Sequence, residues 1–318
     1  MAHSFFTYLR LKLIVTLLRP LSLIFGFTKV RRDRLLVEST GIERRQIRIP
    51  SRDKDRFITA YLYTPPAQPN TKPAKRPILV NWHGSGFIFP MLGSDGVFCA
   101  RVARETGMFV LDADYRKAPE TPFPGPLNDV EDALKWVAAQ PDRFDLSRVA
   151  VSGFSAGGNL ALVAATALRK QASLAEVISI PVVVAVYPVT DFTIASEAKK
   201  VPRPRRPIPP ALARVFNASY LPDAELKKDV RVSPGLAAAA DFPSTVVIIT
   251  VDGDTLAPEA IALAERLGKD QTRKVVSRTL TGVGHAFDKG VVEGTHEWEQ
   301  REEAYTLAIE TLKDVFHL

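Results

Sequence analysis

The stretch VAVSGFSAGGNLAL, Val149 to Leu162, decides which fold class this chain can adopt. An apolar run typical of a buried strand leads through G-F-S-A-G (153–157) into a segment typical of a helix. Glycine costs backbone entropy and adds no side chain to a core, so glycines on both sides of one serine indicate a turn that needs room. A plain strand–helix turn is the alternative. The pattern G-x-S-x-G at this place predicts a nucleophile elbow that exposes Ser155.

Short apolar runs alternate with helical patterns along most of the chain. Two alternating runs, 44–50 and 57–63, predict half-buried strands. Continuous apolar runs predict buried strands at 78–82, 108–114, 149–151, 182–187, 245–251 and 274–280. Helices are predicted at 127–140, 157–169, 258–268 and 298–316. Strands that alternate with helices predict an α/β fold with a mostly parallel central sheet and helices on both faces.

A serine hydroxyl needs a base, and the base needs an acid that orients it. The chain has five histidines, and His285 lies in GVGHAF directly after the last predicted strand. The acid candidates are Asp252 and Asp254, which follow the preceding strand. Reactive groups of an α/β sheet gather at the carboxyl ends of its strands. The order Ser155, Asp254, His285 is that of the α/β-hydrolases, which favours catalysis over a structural role for this histidine.

The motif HGSGF, which begins at His83, also follows a predicted strand. Acyl transfer builds a negatively charged oxygen that preorganised N–H donors must stabilise. Successive N–H groups of a glycine-rich loop can point at one spot, so Gly84 and Ser85 are the predicted donors. The N–H of Ala156, beside the nucleophile, completes the predicted oxyanion hole. We expect His83 to pin this loop by side-chain hydrogen bonds and Gly86 to support its turn.

Together these motifs resemble the hormone-sensitive-lipase branch of the α/β-hydrolases, which includes arylacetamide-deacetylase-like esterases. The resemblance runs from about Pro77 to the C-terminus and also includes DYRKAPETPFP (114–124), VSPGLA (232–237) and DGDTLAPE (252–259). It implies the α/β-hydrolase fold with a helical cap, and Asp254 rather than Asp252 as the acid of the triad. Ser85 replaces a glycine of the family pattern, and Phe154 stands where many members have an acidic residue.

The function that these residues predict is a serine carboxylic ester hydrolase that works through an acyl-enzyme. Its expected substrate is a small to medium, apolar ester, and the resemblance to fungal enzymes suggests an ester of a secondary metabolite. One alternative is an amidase or deacetylase with the same triad. The other is a non-catalytic ligand receptor of the same fold, against which the presence of His285 argues. No cofactor and no metal are expected.

Charge and cysteine content limit the other functions. The formal net charge is +7, and much of the excess lies in KVRRDR (29–34) and KKVPRPRR (199–206). No nucleic-acid motif accompanies either run, so we expect solvated surface and no nucleic-acid partner. The one cysteine, Cys99, excludes an internal disulfide and fits a cytoplasmic location. The sequence does not indicate an oligomeric state.

Two segments fall outside the regular alternation of strands and helices. Residues 1–40 predict an N-terminal amphipathic helix region, and 41–318 predict the catalytic domain. Within that domain no strand is evident at about 190–242, although a helical pattern appears near 211–220. An excursion of this length in a compact domain is more often a lid than a plain loop. We therefore expect the two segments to form one cap over Ser155.

The N-terminal helix has a second interpretation. Its apolar stretch, Phe5 to Phe27, is interrupted by Arg10, Lys12, Arg19 and Pro20, so no continuous run approaches the roughly 20 apolar residues of a membrane span. Such a helix could lie flat on a membrane, with Lys12 and Arg19 toward anionic headgroups. This interpretation predicts a peripheral membrane contact in place of the cap.

Overall fold

A computed structural model describes residues 3–67 and 75–318, without the side chains of residues 21–27 and 172. The first two residues of the predicted N-terminal region and residues 68–74 lie outside this description. Eight strands of the described chain form one sheet. They are β1 (Glu43–Pro50), β2 (Phe57–Thr64), β3 (Arg76–Trp82), β4 (Phe109–Ala113), β5 (Phe144–Phe154), β6 (Val182–Val186), β7 (Thr245–Val251) and β8 (Lys274–Leu280).

The sheet is mixed at one end and parallel elsewhere. Its strand order is β1-β2-β4-β3-β5-β6-β7-β8, and only the pairs β1–β2 and β2–β4 are antiparallel. All seven side chains of β7 are buried, because a central parallel strand is covered on both faces. The predicted mostly parallel sheet is therefore confirmed. Strand β5 begins at Phe144, five residues before the predicted strand.

Helices cover both faces of the sheet, as predicted. Apolar side chains of α2 (Gly96–Thr106) and α8 (His296–Phe316) pack in one cluster. The cluster on the other face includes α3 (Gly125–Ala138), α4 (Ala156–Val163) and α7 (Ala257–Gly268). A π-helical turn, 164–168, extends α4, and the short α5 spans Ala172–Ala175. Only α2 among the long helices of these layers was not predicted from the sequence.

The segment between β6 and β7 contains α6 (Pro210–Tyr220) and three short 3₁₀ turns, at 224–228, 234–236 and 239–241. No strand occurs in its predicted range of 190–242, all of which the structure describes. The carbonyl of Tyr220 accepts a hydrogen bond from the N–H of Phe123, at 2.9 Å. This bond ties the end of α6 to the loop before α3.

The N-terminal region is one helix of 35 residues, α1 (Phe5–Ser39), which contacts α2 and α6. Its buried side chains include Leu11, Val15 and Val37. The expectation that Lys12 and Arg19 face anionic headgroups is wrong, because both form ion pairs with Glu120 of the protein body. No helix in residues 3–67 and 75–318 is long and apolar enough to cross a membrane.

Candidate active site

Ser155 occupies the turn between β5 and α4, in a backbone conformation that L-residues seldom adopt (φ 53°, ψ −118°). The flanking glycines make this turn possible. A Cβ at Gly153 would collide with the carbonyl of Gly157, and a Cβ at Gly157 would collide with the carbonyl of Trp82. The motif G-x-S-x-G is therefore required by close backbone approach on both sides of a strained serine.

Ser155, His285 and Asp254 form one hydrogen-bonded chain. His285 Nε2 lies 2.9 Å from Ser155 Oγ, and His285 Nδ1 lies 2.6 Å from Asp254 Oδ2. Asp254 is fully buried, and its other oxygen accepts the N–H of Leu256 at 3.0 Å. The carboxylate holds the proton on Nδ1, which leaves Nε2 free to accept the serine proton.

The second acid candidate has a different position. Asp252 Oδ1 accepts the N–H of Gly282 at 2.9 Å, in the turn that precedes His285. That bond ties the end of β7 to the loop after β8, and Asp252 forms no hydrogen bond or ion pair with the imidazole of His285. Of the two aspartates that follow β7, the structure brings only Asp254 to His285.

The three predicted oxyanion donors lie around Ser155. Gly84, Ser85 and Ala156 line the same cavity as Ser155 and His285. Gly84 is so close that a Cβ on it would lie 3.2 Å from the Cβ of Ser155. Within residues 3–67 and 75–318, no hydrogen bond uses the backbone N–H of these three residues. The N–H groups therefore remain available at the mouth of the elbow.

His83 and Gly86 hold the loop that carries two of these donors. His83 Nδ1 lies 3.0 Å from the carbonyl oxygen of Gly84, and Nε2 lies 3.1 Å from Asp114 Oδ1. Burial raises the pKa of Asp114, but the hydrogen bond from His83 and the charge of Lys117 outweigh it and hold this pKa well below its usual range. Gly86 has φ 54°, and a Cβ there would lie 2.9 Å from the ring of Phe216.

Ser85 fixes the same loop through its side chain, which the sequence did not predict. Its hydroxyl lies 2.6 Å from the hydroxyl of Tyr115, which donates to the carbonyl of His83 at 2.7 Å. The N–H of Phe87 donates to Ser85 Oγ at 2.9 Å. Because Tyr115 gives its proton to His83, Ser85 must donate to Tyr115. The serine that replaces a family glycine thus joins both ends of the loop.

A cavity of about 280 Å³ opens in front of Ser155. Its walls are mainly apolar, and the segment 190–242 supplies many of them: Phe192, Ile208, Leu212, Ala213 and Phe216. Asn217 and Lys199 add polar groups, and the Lys199 ammonium is held by the Asp191 carbonyl at 2.9 Å and by the Glu259 carboxylate at 2.5 Å. No α1 residue whose side chain is described lines this cavity. The cap interpretation expects α1 side chains to wall this cavity, whereas those that are described do not.

A family model described as an alpha/beta hydrolase fold matches residues 79–289. This chain belongs to the α/β-hydrolase fold family. The match covers the elbow, the HGSGF loop, the segment 190–242 and His285. The resemblance to the hormone-sensitive-lipase branch is confirmed by this match and by esterase relatives. No group of metal-ligating side chains occurs in the described part of this hydrolase-fold chain.

Relatives of this α/β-hydrolase chain are named as ester hydrolases. Ethyl acetate hydrolase of Pseudomonas putida is 29% identical over 226 residues, which are 66% of this chain and 65% of the relative. Carboxylic ester hydrolase LipN of Mycobacterium tuberculosis is 32% identical over 66% of this chain and 57% of the relative. The matches thus span less than two thirds of these relatives. An esterase structure from Pyrobaculum calidifontis aligns with a TM-score of 0.74 and 26% identity, over 95% of this chain and 93% of that one.

Sequence reasoning missed the buried groups behind the hydrolase triad. The ring of Tyr187 lies 4.9 Å from that of His285, and its hydroxyl donates to Asp288 at 2.6 Å. The Lys289 ammonium binds Asp288 at 2.8 Å and Asp95 at 2.7 Å. Burial lowers the pKa of Lys289, but the two carboxylates outweigh it and hold this pKa above its usual range. Residues 288 and 289 follow GVGHAF directly, and Tyr115 belongs to the DYRKAPETPFP stretch. Their positions next to the family motifs were the one feature of the sequence that could have indicated a role for them.

Proposed function

We propose that this chain is a serine carboxylic ester hydrolase that works through an acyl-enzyme. The observation that carries the proposal is the hydrogen-bonded chain Asp254–His285–Ser155 at the floor of an apolar cavity. Three elements of the sheet's carboxyl edge supply these groups, which is the usual place for reactive residues in an open α/β sheet. A non-catalytic receptor needs only to bind its ligand and does not require a histidine that an aspartate orients toward a serine hydroxyl.

In the acylation step, Ser155 Oγ attacks the carbonyl carbon of the ester while His285 Nε2 removes the hydroxyl proton. The carbonyl oxygen becomes an oxyanion, which accepts hydrogen bonds from the N–H groups of Gly84, Ser85 and Ala156. The C–O bond to the alcohol then breaks. The imidazolium of His285 returns its proton to the departing alkoxide, so the alcohol leaves neutral and the acyl group stays on Ser155.

Deacylation repeats these steps with water as the nucleophile. His285 removes a proton from a water molecule, whose oxygen attacks the acyl carbon. The second tetrahedral oxyanion uses the same N–H donors. Its collapse breaks the bond to Ser155 Oγ, which regains a proton from His285, and the carboxylic acid leaves. Over the whole cycle the ester and one water molecule are consumed, and the alcohol and the carboxylic acid are released.

The cavity supports a small to medium, apolar ester as the substrate. Its volume of about 280 Å³ lies near the lower end of ligand pockets. Phe216 and Leu212 of α6 bound the cavity on the side of the segment 190–242, and Phe216 lies next to Gly86. The name of the Pseudomonas relative, an ethyl acetate hydrolase, agrees with a short substrate. We propose a small-molecule ester as the partner of this site.

The test is hydrolysis of p-nitrophenyl esters of increasing acyl length, with the matching anilides alongside. We expect turnover of the short esters, loss of turnover in Ser155→Ala, and unchanged turnover in Ser196→Ala, which alters another serine of the same cavity. Phe216→Ala should shift the preference toward longer acyl chains, because it removes a wall of the cavity. Ester turnover that persists in Ser155→Ala would contradict the proposal. Faster hydrolysis of the anilides than of the esters would show that the enzyme is an amidase.

A further inference from the structure

The outer face of α1 carries a row of exposed apolar side chains. Phe6, Leu9, Leu13 and Leu17 are 81%, 53%, 62% and 62% exposed. Their spacing of three or four residues places them on one side of the helix, along about 16 Å of its axis. We call these four residues the outer stripe. Single exposed apolar residues are ordinary, but a continuous row of large ones indicates a contact surface.

The inner face of α1 already has its partners in the protein body. Leu11 and Val15 are buried, and the guanidinium of Arg19 donates to the carbonyls of Ile88 and Ala118 at 2.9 and 3.0 Å. Farther along the helix, Asp33 accepts the N–H of Gly290 at 2.7 Å. The helix is therefore fastened to the body at several points along its length. Among the α1 side chains that are described, those on the outer side are left for another partner.

The charges beside the outer stripe point to an anionic partner. The first acidic residue of the whole sequence is Asp33, whereas Arg10, Lys29 and Arg31 are exposed on α1. A second copy of the chain fits this surface poorly, because a two-fold contact would set the same basic residues against each other. An apolar row on a helix that also exposes basic residues is what a helix at a lipid interface presents: apolar side chains enter the acyl region while cations meet the headgroups.

We propose that α1 binds the surface of an anionic membrane through the outer stripe, with Arg10 and Arg31 at the headgroups. The stripe enters the lipid, while Lys12 and Arg19 remain bound to Glu120 on the body side. Because α1 contacts α6, whose residues Phe216 and Leu212 line the cavity, this contact brings the cavity wall close to the bilayer. The binding itself does not depend on the proposed ester hydrolysis.

The test is co-sedimentation of the full chain with phosphatidylcholine vesicles that contain or lack phosphatidylserine. We expect binding to the anionic vesicles that weakens as salt is raised, since the headgroup attraction is screened. Leu13→Glu should lower the vesicle affinity at least about tenfold. The matched control is Val177→Glu, which places the same charge at a 46% exposed valine close before β6, at the amino edge of the sheet. Ser155→Ala should bind vesicles like the wild type, so that failure of the enzyme proposal leaves this result unchanged.

Several outcomes would overturn the proposal. The stripe is not a lipid surface if anionic vesicles bind no protein, or if Leu13→Glu binds them as well as Val177→Glu does. A wild-type dimer in solution that Leu13→Glu converts to a monomer would assign the stripe to a second copy. Leu17→Ser, at an equally exposed position, is the second variant in case Leu13→Glu does not fold. Its vesicle affinity should also fall.

Discussion

The surroundings of Ser155 and the outer face of α1 differ in what their side chains contact. Asp254 is fully buried, and His285 binds both it and Ser155 within 2.9 Å. On α1, by contrast, Phe6 and Leu13 are more than 60% exposed although both are large and apolar. The protein thus holds its polar site residues inside and leaves apolar ones outside, which is the reverse of what folding alone favours.

Under our two proposals, the buried residues around Ser155 carry out the chemistry and the exposed residues of the outer stripe make a contact. Ser155, His285 and Asp254 each have a hydrogen-bond partner in this set, so a single substitution should remove a defined step. On the outer stripe all four side chains are more than half exposed, so substitutions there should leave folding and turnover unchanged. The following three predictions test that separation, beginning with the largest effect.

Replacing each of the two aspartates after β7 by asparagine should give two variants with the largest difference in turnover. Asp254→Asn should lower kcat by about 10⁴, because an amide no longer holds the imidazole in the tautomer that accepts the serine proton. Asp252→Asn is the matched control. It changes the same residue type two positions away, where the contact is the N–H of Gly282. Steady-state hydrolysis of a short aryl ester measures both, and equal losses would refute the assignment of Asp254.

Loss of the Tyr115 hydroxyl should have a smaller effect on the oxyanion loop. Tyr115→Phe leaves the backbone donors in place but frees Ser85 and the carbonyl of His83, so we expect roughly a tenfold fall in kcat, about 1.4 kcal/mol. KM should change little, because the donors act on the transition state more than on the bound ester.

The control for this variant is Tyr220→Phe. Tyr220 is also buried near the loop, stacked on Phe87 at 3.8 Å, but its hydroxyl has no hydrogen-bond partner in the described chain. This substitution should leave kcat unchanged. A rise in KM together with the fall in kcat in Tyr115→Phe, or an equal loss in Tyr220→Phe, would indicate general loosening of the fold instead of oriented donors.

The smallest effect concerns the attachment of α1 and its pH dependence. Burial raises the pKa of Glu120, but hydrogen bonds from Arg19 and Lys12 outweigh it and lower this pKa to about 2. A lowered carboxyl pKa stabilises the folded state above the unfolded value of 4.5, and this stability is lost as pH falls from there toward about 2. Glu120→Gln should therefore cost up to about 1 kcal/mol at pH 7, given solvent screening, and less in acid.

Thermal unfolding of the wild type and Glu120→Gln over pH 7 to 2 measures this difference. The difference in melting temperature between the two proteins should become smaller below pH 4.5. If the difference in melting temperature is the same at every pH, the ion pair with Glu120 does not stabilise the attachment of α1. The hydrolytic kcat of Glu120→Gln at pH 7 should match the wild type, because Glu120 is not among the residues that line the cavity in front of Ser155.

Local constraints explain why much of the fold and the site could be predicted. The glycines around Ser155 are required by backbone atoms of the same turn, so the motif alone predicts the elbow. His285 and Asp254 each follow a strand whose apolar run is evident in the sequence, and the parallel sheet brings those ends together. Fold class, strand positions and the candidate triad therefore follow from short stretches of the chain.

Contacts between distant residues explain what could not be predicted. Arg19 and Glu120 are 101 positions apart, and no pattern in either stretch indicates that they meet. The bond between Ser85 and Tyr115 depends on how two loops pack, although the serine stood out as a departure from the family pattern. The helix α2 also has no side-chain cap: Asp95, which precedes it, instead binds Asn81 and Lys289.

We expect Ser155 to become covalently acylated during turnover, and an active-site label can identify the residue that acts as the nucleophile. A fluorophosphonate reacts with a serine that a neighbouring base has activated, and it leaves a stable adduct. Protease digestion and mass spectrometry of the labelled protein then identify the modified residue. We predict one adduct, on Ser155, that is absent in Ser155→Ala and strongly slowed in Asp254→Asn. An adduct on another residue, or labelling that persists in Ser155→Ala, would contradict the account.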